Sequence, residues 1–381
     1  AGLGHHSIRA VAFYEGVTKE SEIAEAFNVL PDKVYVNNDG SGVYPFATAE
    51  TGTNSLNAAY GALWKDAAVT TVVEIAAGEY DLTESIHADS PVRFEGQGRG
   101  VTFVRGAVAN ACPLSLANAG AYAGGMTIAD AVGGYGGVFI SAGTMENCHI
   151  SNCWKKVYSD GGGGVKLTGG RLLDCEIDHC ISEAMYAYGG GVAVCGKDAV
   201  VSNCYIHANW ASYARNNQNV YGGGLYAMNG LVTHCRIVDN GDQCNPAAPP
   251  KGSHGSGVAL IAHTSGSSPW ATIRNCLIAD NQSCYSNAVL FMAGSVENCT
   301  IAGNTTDAPV PAVRFEKHVF HGTTYVNLGA WNTVVWGNGG GNLALPEDPL
   351  LMPSLSHCCY PQATEGENGN TASDPKLKSA A

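Results

Sequence analysis

The sequence predicts an all-β chain built as a solenoid of short, parallel strands that stack in repeated turns. A six-residue pattern with Cys first, Ile third and Asn or Cys last recurs six times. Between the copies, glycines precede short runs of alternating apolar residues, which is strand periodicity in segments too short for helices. A pattern that recurs about every 30 residues indicates a stacked architecture. The copies start at Cys148, Cys175, Cys204, Cys235, Cys276 and Cys299.

Composition agrees with this class and excludes others. Charged residues are 14% of the 381 residues, below the roughly 25% of ordinary soluble domains. With 49 glycines, this excludes a coiled coil or a long helical bundle. The net charge of −13 and the lack of a basic cluster argue against nucleic-acid or anionic-membrane partners. No apolar stretch reaches 18 residues, so we expect no membrane insertion.

The spacing of the copies sets the length of one solenoid turn. Successive first cysteines lie 27, 29, 31, 41 and 23 residues apart. We therefore expect two or three strands per turn, with insertions as loops between the six-residue pattern and the glycine element. Stacking at about 4.8 Å pairs the backbone of each turn with its neighbours.

The same stacking predicts columns of identical side chains. Cys and Ile are two residues apart in the pattern, so they face the same side and form two inward columns. In the later copies an Asn follows the Ile, or its equivalent, by three residues, where the strand must end. We expect these side chains to form a hydrogen-bonded ladder and the same residues to adopt the left-handed conformation of the turn. They are Asn209, Asn240, Asn281, Asn304 and Asn338.

The ends of the solenoid need caps, because an open edge is an aggregation surface. A capping helix is expected over residues 54–66, with Leu56, Tyr60, Leu63 and Trp64 on one face. The solenoid domain spans residues 34–381, with an irregular tail from about residue 340. Residues 1–33 form an extension with a short helix from Ser21 to Phe27. It also contains an apolar strand, with Ile8, Val11, Phe13 and Tyr14, that is a candidate for assembly by β-augmentation. The alternative is that this strand folds back on its own β-helix.

Three further segments resemble a known family. The opening Val34-Tyr-Val-Asn-Asn-Asp-Gly-Ser-Gly42, then Ala77-Gly-Glu-Tyr80 and Phe94-Glu-Gly-Gln-Gly98, are similar to secreted right-handed parallel β-helix proteins of the pectate-lyase-like superfamily. The repeats resemble those of chlamydial polymorphic membrane proteins in particular. The resemblance implies a right-handed helix from about Val34 onward. It also implies an extracellular or cell-surface location, reached through a signal peptide that is not present in this chain.

The resemblance does not supply a catalytic set. Lyases of this fold typically use a Lys or Arg base with acidic residues that hold calcium, and the related hydrolases use clustered Asp; neither set is evident. The nearest alternative is the acidic stretch Asp174–Asp178, with Asp178, His179 and His207 as its candidate catalytic residues and Asp239 two turns later. The competing interpretation places these residues at solvated turns.

Aromatic residues recur in the loops of three consecutive turns. Such columns can stack sugar rings or bury against another subunit, and the alternative is that the loops fold back and hide the rings. The candidates for glycan or subunit contact are Trp154, Tyr158, Tyr186, Tyr188, Trp210, Tyr213 and Tyr221.

The 14 cysteines suggest an exported protein, with Cys153 and Cys180 as the favoured disulfide pair. Paired His and Cys spacings typical of zinc sites are absent, so neither a metal nor another cofactor is expected.

The preferred hypothesis for function is a noncatalytic extracellular structural or adhesive rod that self-associates, with filaments as one form, or contacts surface glycans. The alternatives are a polysaccharide-active enzyme, either a lyase or a glycoside hydrolase, and a glycan-binding module without catalysis.

Overall fold

The computed structural model describes residues 4–7, 11–14, 17–20, 26–106, 112–134, 136–156, 161–184, 187–213, 219–242, 252–261, 270–317, 319–320, 324–325 and 327–377. Within these ranges the chain is almost entirely β structure. Three long parallel sheets, which we call sheets 1, 2 and 3, follow one another within each turn, and a shorter sheet 4 lies between sheets 2 and 3 in the middle turns. This is the predicted right-handed parallel β-helix.

Sheet 1 has twelve strands and sheet 2 has ten. The strands of sheet 1 are Lys33–Val36, Thr71–Ile75, Val92–Gly96, Tyr122–Gly124, Thr144–Glu146, Arg171–Leu173, Val200–Ser202, Leu231–Thr233, Thr272–Arg274, Gly294–Glu297, Leu328–Trp331 and Ser354–Ser356. Those of sheet 2 are Gly78–Leu82, Thr102–Gly106, Thr127–Ala129, His149–Ser151, Glu176–Asp178, Tyr205–His207, Arg236–Val238, Leu277–Ala279, Thr300–Ala302 and Val334–Trp336.

Sheet 3 has ten strands and sheet 4 has six. The strands of sheet 3 are Ile86–Ala88, Leu114–Leu116, Val138–Ile140, Val165–Leu167, Val192–Val194, Leu225–Ala227, Val258–Leu260, Val289–Phe291, Val313–Phe315 and Leu343–Ala344. Those of sheet 4 are Trp154–Lys155, Ile181–Ala184, Trp210–Tyr213, Gly241–Asp242, Gln282–Ser283 and Thr305–Thr306. A further parallel sheet, Ala187–Tyr188, Asn219–Tyr221 and Gly252–His254, lies beside the middle turns.

The inward columns form the core, as the sequence predicts. In sheet 2, Ile150, Ile177 and Ile206 pair in register, and the column continues through the next three turns. The six first cysteines form a second column and are at most 3% exposed. The alternation of the sequence therefore fixes which face of each strand is buried.

The asparagine ladder is present and buried. The side-chain amide of each Asn donates to the side-chain oxygen of the Asn in the next turn at 2.9–3.1 Å, from Asn209 to Asn338. The expected left-handed conformation lies one residue earlier, at Ala208, Asp239, Asp280, Gly303 and Gly337. The chain turns before the Asn, so its side chain points inward to satisfy backbone groups.

The caps differ in extent from the prediction. The helix is Leu56–Gly61, shorter than residues 54–66, with Ser55 as its N-cap. Leu56 and Leu63 are buried, but Leu63 follows the helix, and Trp64 is 46% exposed. The tail beyond residue 340 is more regular than expected, because strands there join sheets 1 and 3 and a 3₁₀ turn covers Glu367–Gly369.

The N-terminal extension forms two antiparallel pairs, Gly4–Ser7 with Ala26–Val29 and Val11–Tyr14 with Val17–Glu20. The candidate assembly strand residues Val11, Phe13 and Tyr14 therefore lie in a local strand pair, while Ile8 is outside the described residues. The helix expected up to Phe27 is wrong at its end, because Ala26 and Phe27 are in a strand. Within the described residues, none of the helices is long and apolar enough to cross a bilayer.

The predicted disulfide is wrong. Cys153 and Cys180 are both buried free thiols, whereas Cys284 is disulfide-bonded. Neighbouring turns lie about 4.8 Å apart with side chains pointing the same way. A disulfide needs Cβ atoms roughly 3.5–4.5 Å apart, which stacked positions do not provide without distortion.

Candidate active site on the outer face of sheet 2

The outward positions of sheet 2 form two columns of side chains. His149, Glu176 and Tyr205 pair in register in one column, and Ser151, Asp178 and His207 pair in the other. Outward residues do not contribute to the core, so their identity is free to vary between turns. Four of these side chains, His149, Glu176, Asp178 and His207, converge on the middle turns, and we call them the His–carboxylate cluster.

Asp178 is the centre of this cluster. Its Oδ1 is 3.0 Å from His149 Nε2, and its Oδ2 is 3.3 Å from His179 Nδ1 and 3.8 Å from His207 Nε2. Only 11% of the Asp178 side chain is exposed, whereas 58% of the His179 side chain is. The Asp178 carboxylate therefore contacts three imidazoles. His149 is in the preceding turn, His207 is in the following turn, and His179 is the next residue in the chain.

Glu176 makes a second link in the cluster. Its Oε1 is 3.2 Å from His207 Nε2, and its Oε2 faces the guanidinium of Arg99 at 3.7 Å. The His207 ring also stacks on Tyr205, with ring centroids 4.0 Å apart. His207 is thus held between two carboxylates and an aromatic ring.

The charges of the cluster shift the pKa values of two groups. Burial opposes ionisation of Asp178, but hydrogen bonds from His149 and Ser151 and the charges of His149 and His179 lower its pKa to about 2. The hydrogen bond to Asp178 raises the pKa of His149, which burial partly opposes. The two groups stabilise each other as an ion pair.

The cluster includes a group of atoms that could hold a metal ion. The ligand atoms of His149, Glu176 and Asp178 all lie within 4.8 Å of one another. The sequence predicts no metal site because no paired spacing is present. Here the ligands come from adjacent turns, so their separation in sequence is set by the length of the repeat.

An apolar cleft continues from the cluster along the same face. Arg236 and Val238 are the register partners of Tyr205 and His207 in the next turn, and both line a cleft of about 550 Å³. Arg236 also lies over the Tyr205 ring at 4.9 Å. Leu277, Ala279 and Trp336 form its floor together with smaller residues, and Asp374 and Leu377 of the C-terminal segment close its far side.

The structure brings together part of the predicted catalytic set. Asp178, His179 and His207 are adjacent as expected. Asp174 instead lies at a left-handed turn, where it accepts a hydrogen bond from Asn203, and Asp239 occupies another such turn. The sequence prediction omits His149, although it occupies the second position of the first copy. The register of the copies places it beside Glu176, in the turn before Asp178.

The candidate contact aromatics fall into three groups. Tyr188 and Tyr221 stack on each other and are 8% and 9% exposed, because they pack in a cluster with Tyr226 and Leu290 on the outside of sheet 3. Trp154 and Trp210 are half-buried, and the Trp210 ring lies 5.9 Å from His179. Tyr158 and Tyr186 lie outside the described residues, as does the side chain of Tyr213.

Comparisons with solved structures agree with the fold. A rhamnogalacturonan lyase superposes with a TM-score of 0.52 at 12% identity, covering 86% of this chain and 87% of the lyase. ORF18 of Geobacillus virus E2 gives 0.41 at 12% identity over 87% of this chain, which spans only 65% of the viral protein. The mannuronan C-5 epimerase AlgE4 A-module of Azotobacter vinelandii gives 0.40 at 15% identity, covering 75% and 85% of the two chains.

Sequence comparison gives the family. No curated protein sequence matches this one. The model of the right handed beta helix region matches residues 136–334, which include the six-residue copies and most of sheet 2. The chain therefore belongs to the right-handed β-helix family.

Proposed function

We propose that this protein is an exported polysaccharide-cleaving enzyme whose catalytic groups are those of the His–carboxylate cluster. The observation that carries the proposal is the convergence of His149, Glu176, Asp178 and His207 on one sheet face, in the turns that precede the apolar cleft. Surface carboxylates and imidazoles without function rarely gather at one point, because they must be desolvated together.

His207 is the group we assign to proton transfer. Histidine is the side chain most often used as a general acid or base near neutral pH. His207 is 18% exposed, so part of its ring remains accessible to solvent, and its Nε2 lies between Glu176 and Asp178. We assign these two carboxylates to orienting the imidazole.

The cleft favours a neutral polysaccharide. Its lining is mainly apolar and includes Trp336, which suits the apolar face of a sugar ring. Its charged residues are one cation, Arg236, and two anions, Asp280 and Asp374. A polyanion would meet repulsion there, and the net charge of −13 adds to it. We assign Trp210, whose ring lies 5.9 Å from His179, to contact with a bound sugar.

A screen of neutral and acidic polysaccharides tests the proposal, with new reducing ends and the ultraviolet absorbance of unsaturated sugars as the two products measured. We expect reducing ends, and unsaturated ends only if cleavage is by elimination. His207→Gln should lower the rate by about 10²–10⁴-fold. The matched control is Glu297→Gln, which alters an outward carboxylate of sheet 1 that pairs with Arg274. Equal rates for the two variants would contradict the assignment.

The second candidate is the noncatalytic structural or adhesive rod, which self-associates through the N-terminal strand or binds surface glycans. Its support is the regular stacking of the sheets and the presence of β-strand pairs ahead of the solenoid. Deletion of residues 1–17 with sedimentation analysis tests it. Loss of association in the shortened protein, with no cleavage in the screen, would favour this candidate over the enzyme.

A further inference from the structure

We infer that the His–carboxylate cluster binds one divalent first-row transition-metal ion, with His149, Glu176 and Asp178 as ligands and His207 beside them. The nitrogen and oxygen atoms of the three ligands lie within 4.8 Å of one another. This inference extends the proposed function, and a catalytic role for the ion rests on that function. Binding of the ion requires no substrate, so it can be tested separately.

The distances within the cluster fit a small ion. Ligands about 2.0–2.1 Å from a tetrahedral metal are about 3.4 Å from each other. Among the three ligands, His149 Nε2 and Asp178 Oδ1 are 3.0 Å apart, and all three ligand atoms lie within 4.8 Å of one another. One pair is therefore already near the required separation, and the Glu176 carboxylate is close enough to join it by side-chain rotation.

The donor set selects the class of ion. One imidazole and two carboxylates, with a second imidazole beside them, suit zinc, iron, cobalt or manganese. Calcium takes six to eight oxygen ligands and magnesium keeps several waters, so neither matches a site with nitrogen donors. The second oxygens of both carboxylates are also engaged, since Glu176 Oε2 faces Arg99 and Asp178 Oδ2 faces His179. Such outer contacts orient the ligands and are typical of built metal sites.

The backbone holds the ligands in place before an ion arrives. His149 pairs with Glu176 across two strands of sheet 2, and Asp178 pairs with His207 across the next two. Because each strand is hydrogen-bonded on both sides, the ligands are borne by rigid elements and not by a loop. Such a site loses little conformational entropy on binding.

With three protein ligands, the ion would keep an open coordination position. There it could polarise a bound water or a substrate oxygen, as open metal sites do. His207 would then stand beside the ion as the proton-transfer group.

The test is a titration of the full-length protein with Co²⁺ after removal of metals by a chelator. We expect one ion per chain, seen as heat in calorimetry and as visible absorption bands of Co²⁺ in a low-symmetry nitrogen–oxygen site. His149→Ala and Asp178→Asn should each weaken binding by at least about tenfold. Circular dichroism of both variants confirms that the β-helix is intact, and Asp178→Asn preserves the shape of the side chain if His149→Ala does not fold.

The control removes the adjacent histidine pair of the sequence, with His5→Ala and His6→Ala together, and should leave Co²⁺ binding unchanged. Absence of bands and heat, or equal binding by the wild-type protein and both cluster variants, would overturn the inference. If the protein binds Co²⁺ but cleaves no polysaccharide, the metal site is supported and the proposed enzymatic function is contradicted. If cleavage persists after chelation and no Co²⁺ binds, the enzymatic function is supported and the metal site is contradicted.

Discussion

The inward and outward positions of sheet 2 differ sharply although they alternate along the same strands. The inward position is Ile in six consecutive turns, from Ile150 to Ile301. The outward neighbours in these turns include His, Glu, Tyr, Arg, Leu and Thr. Stacking requires identical shapes inside, because each residue packs on its equivalent above and below. Outside there is no such requirement, so the chemistry of the molecule is concentrated on the outer face.

The largest expected effect contrasts neighbours in one strand. Ile206→Ala leaves a cavity in the inward column and should reduce the free energy of unfolding by about 2–5 kcal/mol. Tyr205→Ala, one residue earlier and outward, should reduce it far less, since Tyr205 is only partly buried. Chemical denaturation followed by circular dichroism measures both. An equal loss of unfolding free energy for Tyr205→Ala would contradict the expected difference between the inward and outward faces.

The next contrast is between two ladders of Asn side chains. Asn240 is 2% exposed, and its side chain bonds to Asn209, Asn281 and two backbone carbonyls. Asn240→Ala leaves these groups unsatisfied, and each such group costs about 1–3 kcal/mol.

The comparison is with the exposed Asn298, which bonds to Asn275 and Asn332 and has a φ of 52°. Asn298→Gly keeps the left-handed backbone accessible and should change the denaturation midpoint little. If both variants lose the same stability, burial does not distinguish the ladders.

A smaller effect is expected within the outer face itself. Trp336→Ala removes the largest ring of the cleft, and an aromatic contact is worth about 0.5–1.5 kcal/mol beyond its buried area. The Michaelis constant for the polysaccharide found by the screen should rise about three- to tenfold, with kcat little changed. Trp331→Ala, on the outward side of sheet 1, is the matched control. A fall in kcat with an unchanged Michaelis constant would contradict a role of Trp336 in substrate binding.

The smallest effect concerns the ion pair of His149 and Asp178. Because the pKa of His149 is raised, its contribution is full below its ordinary value of 6.5 and is lost as pH rises through the raised value. The Asp178 contribution is present above 3.8 and is lost as pH falls toward about 2. The pair should therefore stabilise most near pH 5, by about 0.2–1 kcal/mol for a partly exposed pair.

Denaturation of the wild type and of His149→Gln at about pH 5 and about pH 9 checks this sign. The stability difference between them should be larger at the lower pH. An equal difference at both values would mean that the hydrogen bond, and not the charge, holds the two side chains together.

The sequence predicts the repeated parts of the fold but not the features that occur once. The Ile and Cys columns follow from a six-residue pattern that occurs six times, and the asparagine ladder follows from the spacing within that pattern. The disulfide was mispredicted because proximity of Cys153 and Cys180 does not guarantee the required Cβ geometry. Glu176, Asp178 and His207 of the cluster follow from the predicted acidic stretch and its stacking, whereas His149 does not. The cluster members come from three turns, and only the exact register of these turns puts them side by side.

The asparagine ladder also has a consequence for how such a molecule can change over time. Each Asn side chain makes the same hydrogen bond to the Asn of the neighbouring turn at every level of the ladder. Duplication of one gene segment encoding a turn would therefore insert a complete level, about 4.8 Å high, without new partners having to evolve. The outer face of sheet 2 would lengthen by that step each time, so copy number alone sets the length of this surface.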